Sequence, residues 1–393
     1  EAVAYTITSI QDEAFVSNLK LWLRDITEVE VKSEYVLVLK TASVTRGLLN
    51  LLAQVPIVAP EAAKSSDFER NPIGTGPYKI VSYVPSGQVV LEKNTDYWGE
   101  AGKADKITFR IMPETSTRLA ALEAGEVQVA ENLPPDKLEA LRENENIDVV
   151  FTPTLRVDYM VLNHNNSLIQ NAKFREALSL AIDRQGIVDN LLGGTTKAAN
   201  SISPPGTIGY DASLSTYAYD PKRAKALLEE AGYNGETIRV GGPIGRYSMD
   251  KQVTEAIGGM LQAIGINVTV ETLAFSSYIP KYYEPAYDLA FIGQTDFTIS
   301  PHKHWGSIFY SPTARHGYSN EEMDKIIAAA TVELDNKKAA EWFRQGQALQ
   351  HKEFGGALPL YYEPQLIGLS ADYEGFTPRL DEYVIVTTVQ PKP

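Results

Sequence analysis

Helix-like and strand-like segments alternate along almost the whole sequence, without a fixed-period repeat. In one example, a strand pattern over 237–240 is followed by a helix pattern over 250–264 and a second strand over 267–273. Such alternation is typical of α/β proteins, in which helices cover a sheet. At 393 residues the chain is longer than one ordinary domain, so the sequence predicts an α/β protein with two or three lobes.

Periodicity also predicts individual elements, of which two helices and three strands matter below. One helix is expected from Thr6 to Leu23, and a long one over 173–192, ended by two glycines. Three short, separate strands are expected over 149–151, 159–163 and 358–362. Residues 195–219 lack a period and indicate an irregular crossing loop.

Composition excludes several classes of function. The net charge of −14 disfavours binding to nucleic-acid phosphates or to anionic membranes. The absence of cysteine excludes disulfides, thiolate nucleophiles, cysteine-based zinc sites and iron–sulfur clusters. The sequence shows no apolar run of membrane-spanning length and no signal-peptide pattern after Glu1.

Several motifs, taken in their order and spacing, carry a family resemblance. They are NPIGTGPY at 71–78, VLEKN at 90–94, DYW at 96–98, RLAALEAGEVQV at 118–129, FREALSLAIDRQGIV at 174–188, DPKRAKALLEEAGY at 220–233, IGINV at 264–268, YD at 287–288 and LPLYY at 358–362. Together they resemble the bacterial extracellular solute-binding proteins of ABC importers, in the dipeptide, oligopeptide and nickel class known as family 5.

The resemblance implies a periplasmic-binding-protein type II fold, with two lobes joined by a hinge and a small extra subdomain. Residues 1–71 are expected to be the remainder of the small subdomain of lobe I. Residues 72–184 and 365–393 would form lobe I itself, and 185–364 would form lobe II. The family's first strands have no counterpart here, so the chain is expected to lack an N-terminal segment.

In peptide-binding relatives, a strand and the turn after it supply backbone partners and a carboxylate for the ligand's α-ammonium group. Gly293, Gln294 and Thr295 are the predicted backbone partners, and Asp296 is the predicted carboxylate, in a charge-assisted hydrogen bond. Phe297 occupies the competing position, because the offset from the glycine is uncertain by one residue. The alternative for Asp296 is a solvated turn aspartate.

A second set of candidate residues follows from the same resemblance. Arg246, beside Tyr247 in a glycine-rich loop, is predicted to pair bidentately with a ligand carboxylate, the alternative being a surface arginine. Further residues are expected to line the cleft, with core packing as the alternative for the aromatic ones: Tyr159, Asn163, Tyr361, Tyr362 and Trp305.

Metal and enzyme sites are weakly supported by the sequence. His302 and His304 share one side of an extended segment, but His164 and His316 lie elsewhere and no carboxylate stands at ligand spacing. The sequence contains no Gly-x-Ser-x-Gly, His-Glu-x-x-His or phosphate-loop motif, and Glu229–Glu230 fits the solvated face of a helix. We therefore predict no metal, no cofactor and no enzymatic activity.

The function that the resemblance implies is an extracytoplasmic receptor. It would capture a short peptide between two lobes and deliver it to the membrane permease of an ABC importer. The protein is expected to be a monomer, periplasmic or extracellular, either free or lipid-anchored to the outer face of the cytoplasmic membrane. Alternatives are the same role for an oligosaccharide, which would need several aromatic faces in the cleft, or for a metal chelate, and a chemosensory or chaperone-like role.

Overall fold

The computed structural model describes residues 1–13, 15, 17, 19–296 and 302–393, with the backbone alone at 21, 22, 153 and 302–304. By its internal contacts the chain forms two compact units. Unit 1 comprises 1–113, 372–377 and 384–393; unit 2 comprises 114–371 and 378–383. These boundaries differ from the lobe boundaries that the resemblance implies, and the latter stay a prediction.

The strands, in chain order, are β1 (Ile26–Ser33), β2 (Val36–Thr41), β3 (Tyr78–Val84), β4 (Gln88–Lys93), β5 (Lys106–Arg110), β6 (Val129–Ala130), β7 (Ile147–Leu162), β8 (Thr237–Ile244), β9 (Asn267–Ala274), β10 (Leu289–Thr295), β11 (Ala357–Ser370), β12 (Tyr373–Glu374) and β13 (Gln390–Pro391). The α-helices are α1 (Ala2–Gln11), α2 (Lys20–Leu23), α3 (Leu48–Leu52), α4 (Pro60–Ala63), α5 (Thr115–Glu123), α6 (Leu138–Arg142), α7 (Ser167–Gln170), α8 (Ala172–Ala181), α9 (Arg184–Asn190), α10 (Pro221–Glu230), α11 (Asp250–Ala263), α12 (Phe275–Tyr283), α13 (His302–Ile308), α14 (Glu321–Val332) and α15 (Asn336–Glu353). A 3₁₀ turn, Pro135–Lys137, precedes α6.

Unit 1 is built from small antiparallel sheets. Strands β1 and β2 form one pair, β3, β4 and β5 form a three-stranded sheet, and β12 pairs with β13. Its buried apolar cluster joins the first helices to β1 through Ile7, Ile10, Leu23, Ile26 and Val55. Burial of these side chains supplies the main stabilising term of this small unit.

Unit 2 is organised around one six-stranded mixed sheet, in the order β6-β11-β7-β10-β8-β9. Strand β8 pairs in parallel with both β9 and β10, whereas β7 pairs antiparallel with β10 and β11. Helix α11 packs on β8 and β9, and α8 packs on α10. Strands β7, β10 and β11 therefore lie in the sheet interior, which places their side chains in the core.

The expectation of one long helix over 173–192 is wrong. The helix ends at Ala181 and a new one, α9, begins at Arg184. The side chain of Asp183 accepts a hydrogen bond of 2.8 Å from the backbone N–H of Gly186, which is the geometry of a helix N-cap. The apolar period continues across this cap, so periodicity alone cannot reveal the break.

The expected helix from Thr6 to Leu23 is also wrong. Helix α1 ends at Gln11 and α2 spans only Lys20–Leu23. The side-chain amide of Gln11 donates to the carbonyl oxygens of Leu23 (2.9 Å) and Ile26 (2.7 Å), which ties the two ends of this stretch together. A continuous helix over these residues would hold those atoms far apart.

Two of the expected short strands, 149–151 and 159–163, fall on one continuous strand, β7, which ends at Leu162. The third, 358–362, extends to Ser370 as β11. Polar residues such as Thr154 interrupt the apolar pattern, so the sequence between the two expected strands is typical of a loop. The Thr154 hydroxyl is nevertheless buried and donates to the carbonyl oxygen of Glu363 at 2.9 Å, so this polar residue lies inside the sheet.

Within the described ranges, no helix combines the length and apolar character that crossing a bilayer requires.

Two glycines in helix interiors provide a matched test of this packing. A Cβ at Gly346, in α15, would lie 2.2 Å from the buried ring of Trp305, whereas a Cβ at Gly259, in α11, would meet no atom within 4 Å. We expect Gly346→Ala to lower the free energy of unfolding by roughly 1–3 kcal/mol through overpacking. Gly259→Ala should instead raise it, by up to about 1 kcal/mol, because alanine favours helix.

Thermal and urea unfolding of both variants checks this pair. Equal effects of the two substitutions would contradict the close packing of α13 on α15.

Candidate functional site

A small polar cavity of about 110 Å³ lies within unit 2, beside the paired strands β7 and β11. Its wall carries three glutamates and two arginines: Glu131, Glu363, Glu382, Arg156 and Arg246. Thr154 and Gln365 add a hydroxyl and an amide. Binding sites for whole drug-sized molecules are usually about 300–1,000 Å³, so this cavity suits one polar group of a ligand.

The centre of the wall is an ion pair between Arg156 and Glu382. The Arg156 side chain is 5% exposed, and its Nε donates to Glu382 Oε1 at 2.8 Å. Glu382 reaches this position on the segment 378–383, which returns to unit 2. Burial by itself would lower the pKa of Arg156, but the hydrogen bonds and charge of Glu382 outweigh it and raise that pKa above its ordinary value.

The loop that carries Arg246 is held by a buried carboxylate. Asp250 accepts hydrogen bonds from the backbone N–H groups of Gly245 (3.1 Å), Arg246 (2.8 Å) and Tyr247 (3.0 Å). The Arg246 guanidinium then stacks on the rings of Tyr247 and Phe275, at 5.2 and 5.7 Å. The Arg246 side chain is thus exposed at the wall of the cavity, and its backbone is held in place by these hydrogen bonds.

Behind the wall, two carboxyl groups from neighbouring strands lie together. Asp158 of β7 is fully buried, and Glu363 of β11 is 5% exposed. As carboxylates, neither oxygen of Asp158 nor Oε2 of Glu363 meets a hydrogen-bond donor among the described residues. Burial, followed by the charge of Glu363 and a hydrogen bond between the two carboxyl groups, raises the pKa of Asp158 well above its ordinary value.

Glu131 is the fourth acid of this region. Burial, followed by the charge of Glu382, raises its pKa to about 7, although Arg118 and a hydrogen bond from Gln365 act in the opposite direction. That hydrogen bond runs from Gln365 Nε2 to Glu131 Oε1 at 3.1 Å. The carboxyl group of Glu131 therefore changes its charge close to neutral pH.

The structure brings several of the predicted site residues together around Arg156. The carbonyl oxygen of Gly293 accepts from Arg156 Nη1 at 3.2 Å and from the Tyr247 hydroxyl at 3.0 Å. The Thr295 hydroxyl lies 3.5 Å from Glu382 Oε1. Arg246, Tyr247, Gly293 and Thr295 thus share one polar network, and their roles toward a ligand stay a prediction.

Asp296 follows directly after β10. It is 6% exposed, and its backbone N–H donates to the carbonyl oxygen of Leu155 at 2.9 Å. The alternative of a solvated turn aspartate is therefore wrong, while its role toward a ligand stays a prediction. Phe297, the competing position, lies outside the described residues.

Asn163 uses its amide within the protein. Its Nδ2 donates to the carbonyl oxygens of Pro285 and Tyr287, both at 3.1 Å, and its Oδ1 accepts from the backbone N–H of Asn165. In this structure Asn163 joins β7 to the loop before β10, and the predicted ligand contact stays untested.

The aromatic candidates are buried and bonded to neighbouring groups. Tyr159 contacts Gln294 Oε1 at 3.2 Å, Tyr361 donates to the carbonyl oxygen of Ser248, and Tyr362 donates to Asn200 Oδ1 at 2.7 Å. Trp305 donates to Ser203 Oγ and packs on Phe309 and Phe343. None of the four is among the described residues that line the cavity, and Tyr361 and Tyr362 are both buried although strand alternation sends them to opposite faces.

The histidines do not assemble into a metal centre among the described residues. His164 and His316 are buried, and burial lowers the pKa of each to about 4, so both are neutral at pH 7. His164 Nε2 accepts a hydrogen bond from the backbone N–H of Gly356 at 3.1 Å. The side chains of His302 and His304 lie outside the described residues.

The sequence interpretation missed most of the acidic wall. Arg156 and Asp158 stand inside an apolar strand, and Glu363 follows a buried tyrosine pair, so charged residues in apolar runs were the available signal. For Glu131 and Glu382 no local signal exists, because they meet only through contacts between distant segments.

Glu131 provides a pH test of the cavity. Between pH 4.5 and 7 the folded carboxyl holds a proton that the unfolded chain has released, so its contribution to stability falls as pH rises through this window. Glu131→Gln removes this dependence. Relative to wild type, the variant should gain up to roughly 3 kcal/mol in free energy of unfolding between pH 5 and 8, at about 1.4 kcal/mol per pKa unit.

Urea unfolding at the two pH values checks this expectation, with the exposed Glu123→Gln as the control that keeps the wild-type pH dependence. A constant difference between Glu131→Gln and wild type would contradict the raised pKa.

Known proteins resemble this chain in sequence over much of its length. The dipeptide-binding protein of Escherichia coli is 26% identical over 302 residues, which are 75% of this chain and 56% of that protein. The glutathione-binding protein GsiB of Salmonella paratyphi A is 26% identical over 374 residues, covering 90% and 72% of the two chains. The chain thus spans little more than half of the first relative.

Solved structures match the fold along the whole chain. A periplasmic binding protein, DppA, from Helicobacter pylori in complex with the peptide STSA matches with a TM-score of 0.88 at 22% identity, over 100% of this chain and 81% of that one. NikA from Staphylococcus aureus in complex with Ni(L-His)2 matches with a TM-score of 0.85 at 22% identity, over 100% and 84%. The predicted periplasmic-binding-protein type II fold is thereby confirmed.

The family described as bacterial extracellular solute-binding proteins, family 5 middle, matches residues 1–315. The match covers most of the sequence, including the motifs from 71 to 288 that carried the resemblance. This chain belongs to the family 5 bacterial extracellular solute-binding proteins.

Proposed function

We propose that this chain is the receptor component of an ABC importer and that it captures a short peptide. The observation that carries the proposal is the cavity wall, which presents an arginine and several carboxyl groups within one small polar space. A short peptide is a zwitterion, so its two ends need groups of opposite charge. Arg246 offers a planar guanidinium for the terminal carboxylate, Asp296 is the predicted partner of the amino end, and the acidic residues of the wall suit a positively charged group.

The relatives support a peptide over other solutes. Two of them are named for binding dipeptides and glutathione, and the matching DppA structure contains a peptide. An oligosaccharide site would place aromatic faces along the cavity, but no aromatic side chain is among the described residues that line it. A metal chelate is the second candidate, because the matching NikA structure holds nickel with histidine.

The remaining parts of the proposal follow the family. The ligand would lie between lobe I and lobe II as the resemblance delimits them, and ligand contacts made only in a closed state would favour closure. The relatives are named as binding proteins, and we infer a receptor without turnover. It would act as a monomer outside the cytoplasmic membrane, free or lipid-anchored, and would hand the peptide to a permease.

Calorimetric titration with dialanine and with its C-terminal amide tests the function and the role of Arg246 together. Wild-type protein should bind dialanine one to one and bind the amide at least about tenfold more weakly, because the amide lacks the charge that Arg246 pairs with. Arg246→Ala should weaken dialanine binding by a similar factor and leave binding of the amide nearly unchanged.

Arg223→Ala is the matched control, because Arg223 is an exposed arginine on α10 that is paired with Glu230. It should bind both ligands as wild type does. Absence of any peptide binding, together with the release of a sugar or a nickel chelate from the purified protein on denaturation, would contradict the peptide assignment. Equal loss of both ligands in Arg246→Ala would contradict the carboxylate contact alone.

A further inference from the structure

The wall of the cavity includes residues with buried hydrogen-bond acceptors that protein donors satisfy only in part. Glu363 and Gln365 are 5% and 6% exposed, and both line the cavity. Oε1 of Gln365 has no donor among the described protein groups, and Oε2 of Glu363 has none other than the neighbouring carboxyl group of Asp158. Buried acceptors of this kind are uncommon in folded proteins and are a reason to expect a donor from a ligand.

The orientation of the Gln365 amide follows from its neighbour. The NH₂ group of Gln365 faces Glu131 Oε1, at 3.1 Å, which is the orientation that the ionised form of Glu131 requires. This leaves Gln365 Oε1 as the acceptor toward the remaining space. Glu363 is fixed as well, because its Oε1 accepts from the backbone N–H of Ser248 at 2.8 Å.

The arginines near the cavity are committed to other groups. Arg156 pairs with Glu382 and with the carbonyl oxygen of Gly293. Arg118 donates to the backbone carbonyl oxygens of Glu131 and Asn132, at 2.9 and 2.8 Å, although its charge still acts on Glu131. Arg246 is exposed and stacked on aromatic rings. No described cation therefore bonds to the oxygens of Glu363.

We propose that this cavity binds a positively charged group of the ligand, an ammonium or a guanidinium, with Glu363, Gln365 and Glu131 as its acceptors. The inference rests on the proposed function and narrows it to peptides with a basic side chain. Asp296, which the family resemblance assigns to the α-amino group, is not among the described residues that line the cavity. The cavity is therefore left for a second positive charge.

The electrostatics of the region agree with this assignment. Burial is the main cause of the raised pKa values of Asp158 and Glu131; the negative charges of Glu363 and Glu382, which come next, also stabilise a positive charge placed beside them. An ammonium donates three hydrogen bonds, and three residues with acceptor oxygens, Glu363, Gln365 and Glu131, line the cavity. A cavity of about 110 Å³ has room for such a head group but is small for a whole dipeptide.

The test compares dipeptides that contain lysine with the same dipeptides containing norleucine, which has the same carbon chain without the ammonium. Calorimetry on the full chain should show lysine peptides binding at least about tenfold more tightly. Glu363→Gln should remove most of this preference while norleucine peptides bind as before, which shows that the variant is folded. Glu131→Gln should also reduce the preference for lysine peptides. If Glu363→Gln does not fold, this variant tests the inference in its place.

A further set of ligands identifies the source of the charge. One outcome would assign the α-amino group to the cavity. In it, lysine and norleucine peptides bind wild type equally well, and N-acetylation abolishes the binding of both. N-acetylation then causes no further loss of affinity in Glu363→Gln. If neither ligand charge nor Glu363→Gln and Glu131→Gln changes affinity, the inference is overturned and the peptide receptor stands. Failure of every peptide to bind would overturn the proposed function and this inference with it.

Discussion

The pairing of β7 with β11 is the constraint on which the candidate site depends. These two long antiparallel strands are neighbours inside the six-stranded sheet, and their register shifts between Pro359 and Tyr361 and between Tyr362 and Pro364. The pairing brings Thr154, Arg156 and Asp158, far away in sequence, next to Glu363 and Gln365. A change of register by one residue would reverse every side chain, so the site exists only in this register.

The buried acidic residues and arginines of this sheet stabilise one another. A buried charge without a partner costs several kcal/mol, roughly the scale of a whole domain's stability. Glu382 pairs with Arg156, Asp250 accepts hydrogen bonds from backbone N–H groups, and burial raises the pKa of Asp158, which favours its neutral form. The close approach of Asp158 Oδ1 to Gly293, where a Cβ would lie at 1.9 Å, shows how tightly the sheet encloses these groups.

The sequence predicted the fold class and the family well, because motifs and periodicity are local. It predicted the loop of Arg246, since glycine-rich turns after strands are local features too, but Gly293–Thr295, expected at a strand end and the turn after it, belong to β10. It failed at the break at Asp183, where an N-cap lies inside an apolar period, and at β7, whose polar residues resemble a loop. The sequence also left Trp305 open between lining the cleft and packing in the core. Its ring packs closely against Gly346, which lies on a helix distant in sequence.

The acidic wall could not be derived from the sequence, because Glu131, Glu363 and Glu382 come from three distant segments. The central claim is that this wall is where the ligand's polar groups are recognised. A crystal structure of the protein with a bound lysine-containing dipeptide tests it most directly. We expect a ligand nitrogen within about 3.2 Å of Glu363 or Gln365. A ligand bound elsewhere, with only water against these residues, would contradict the account.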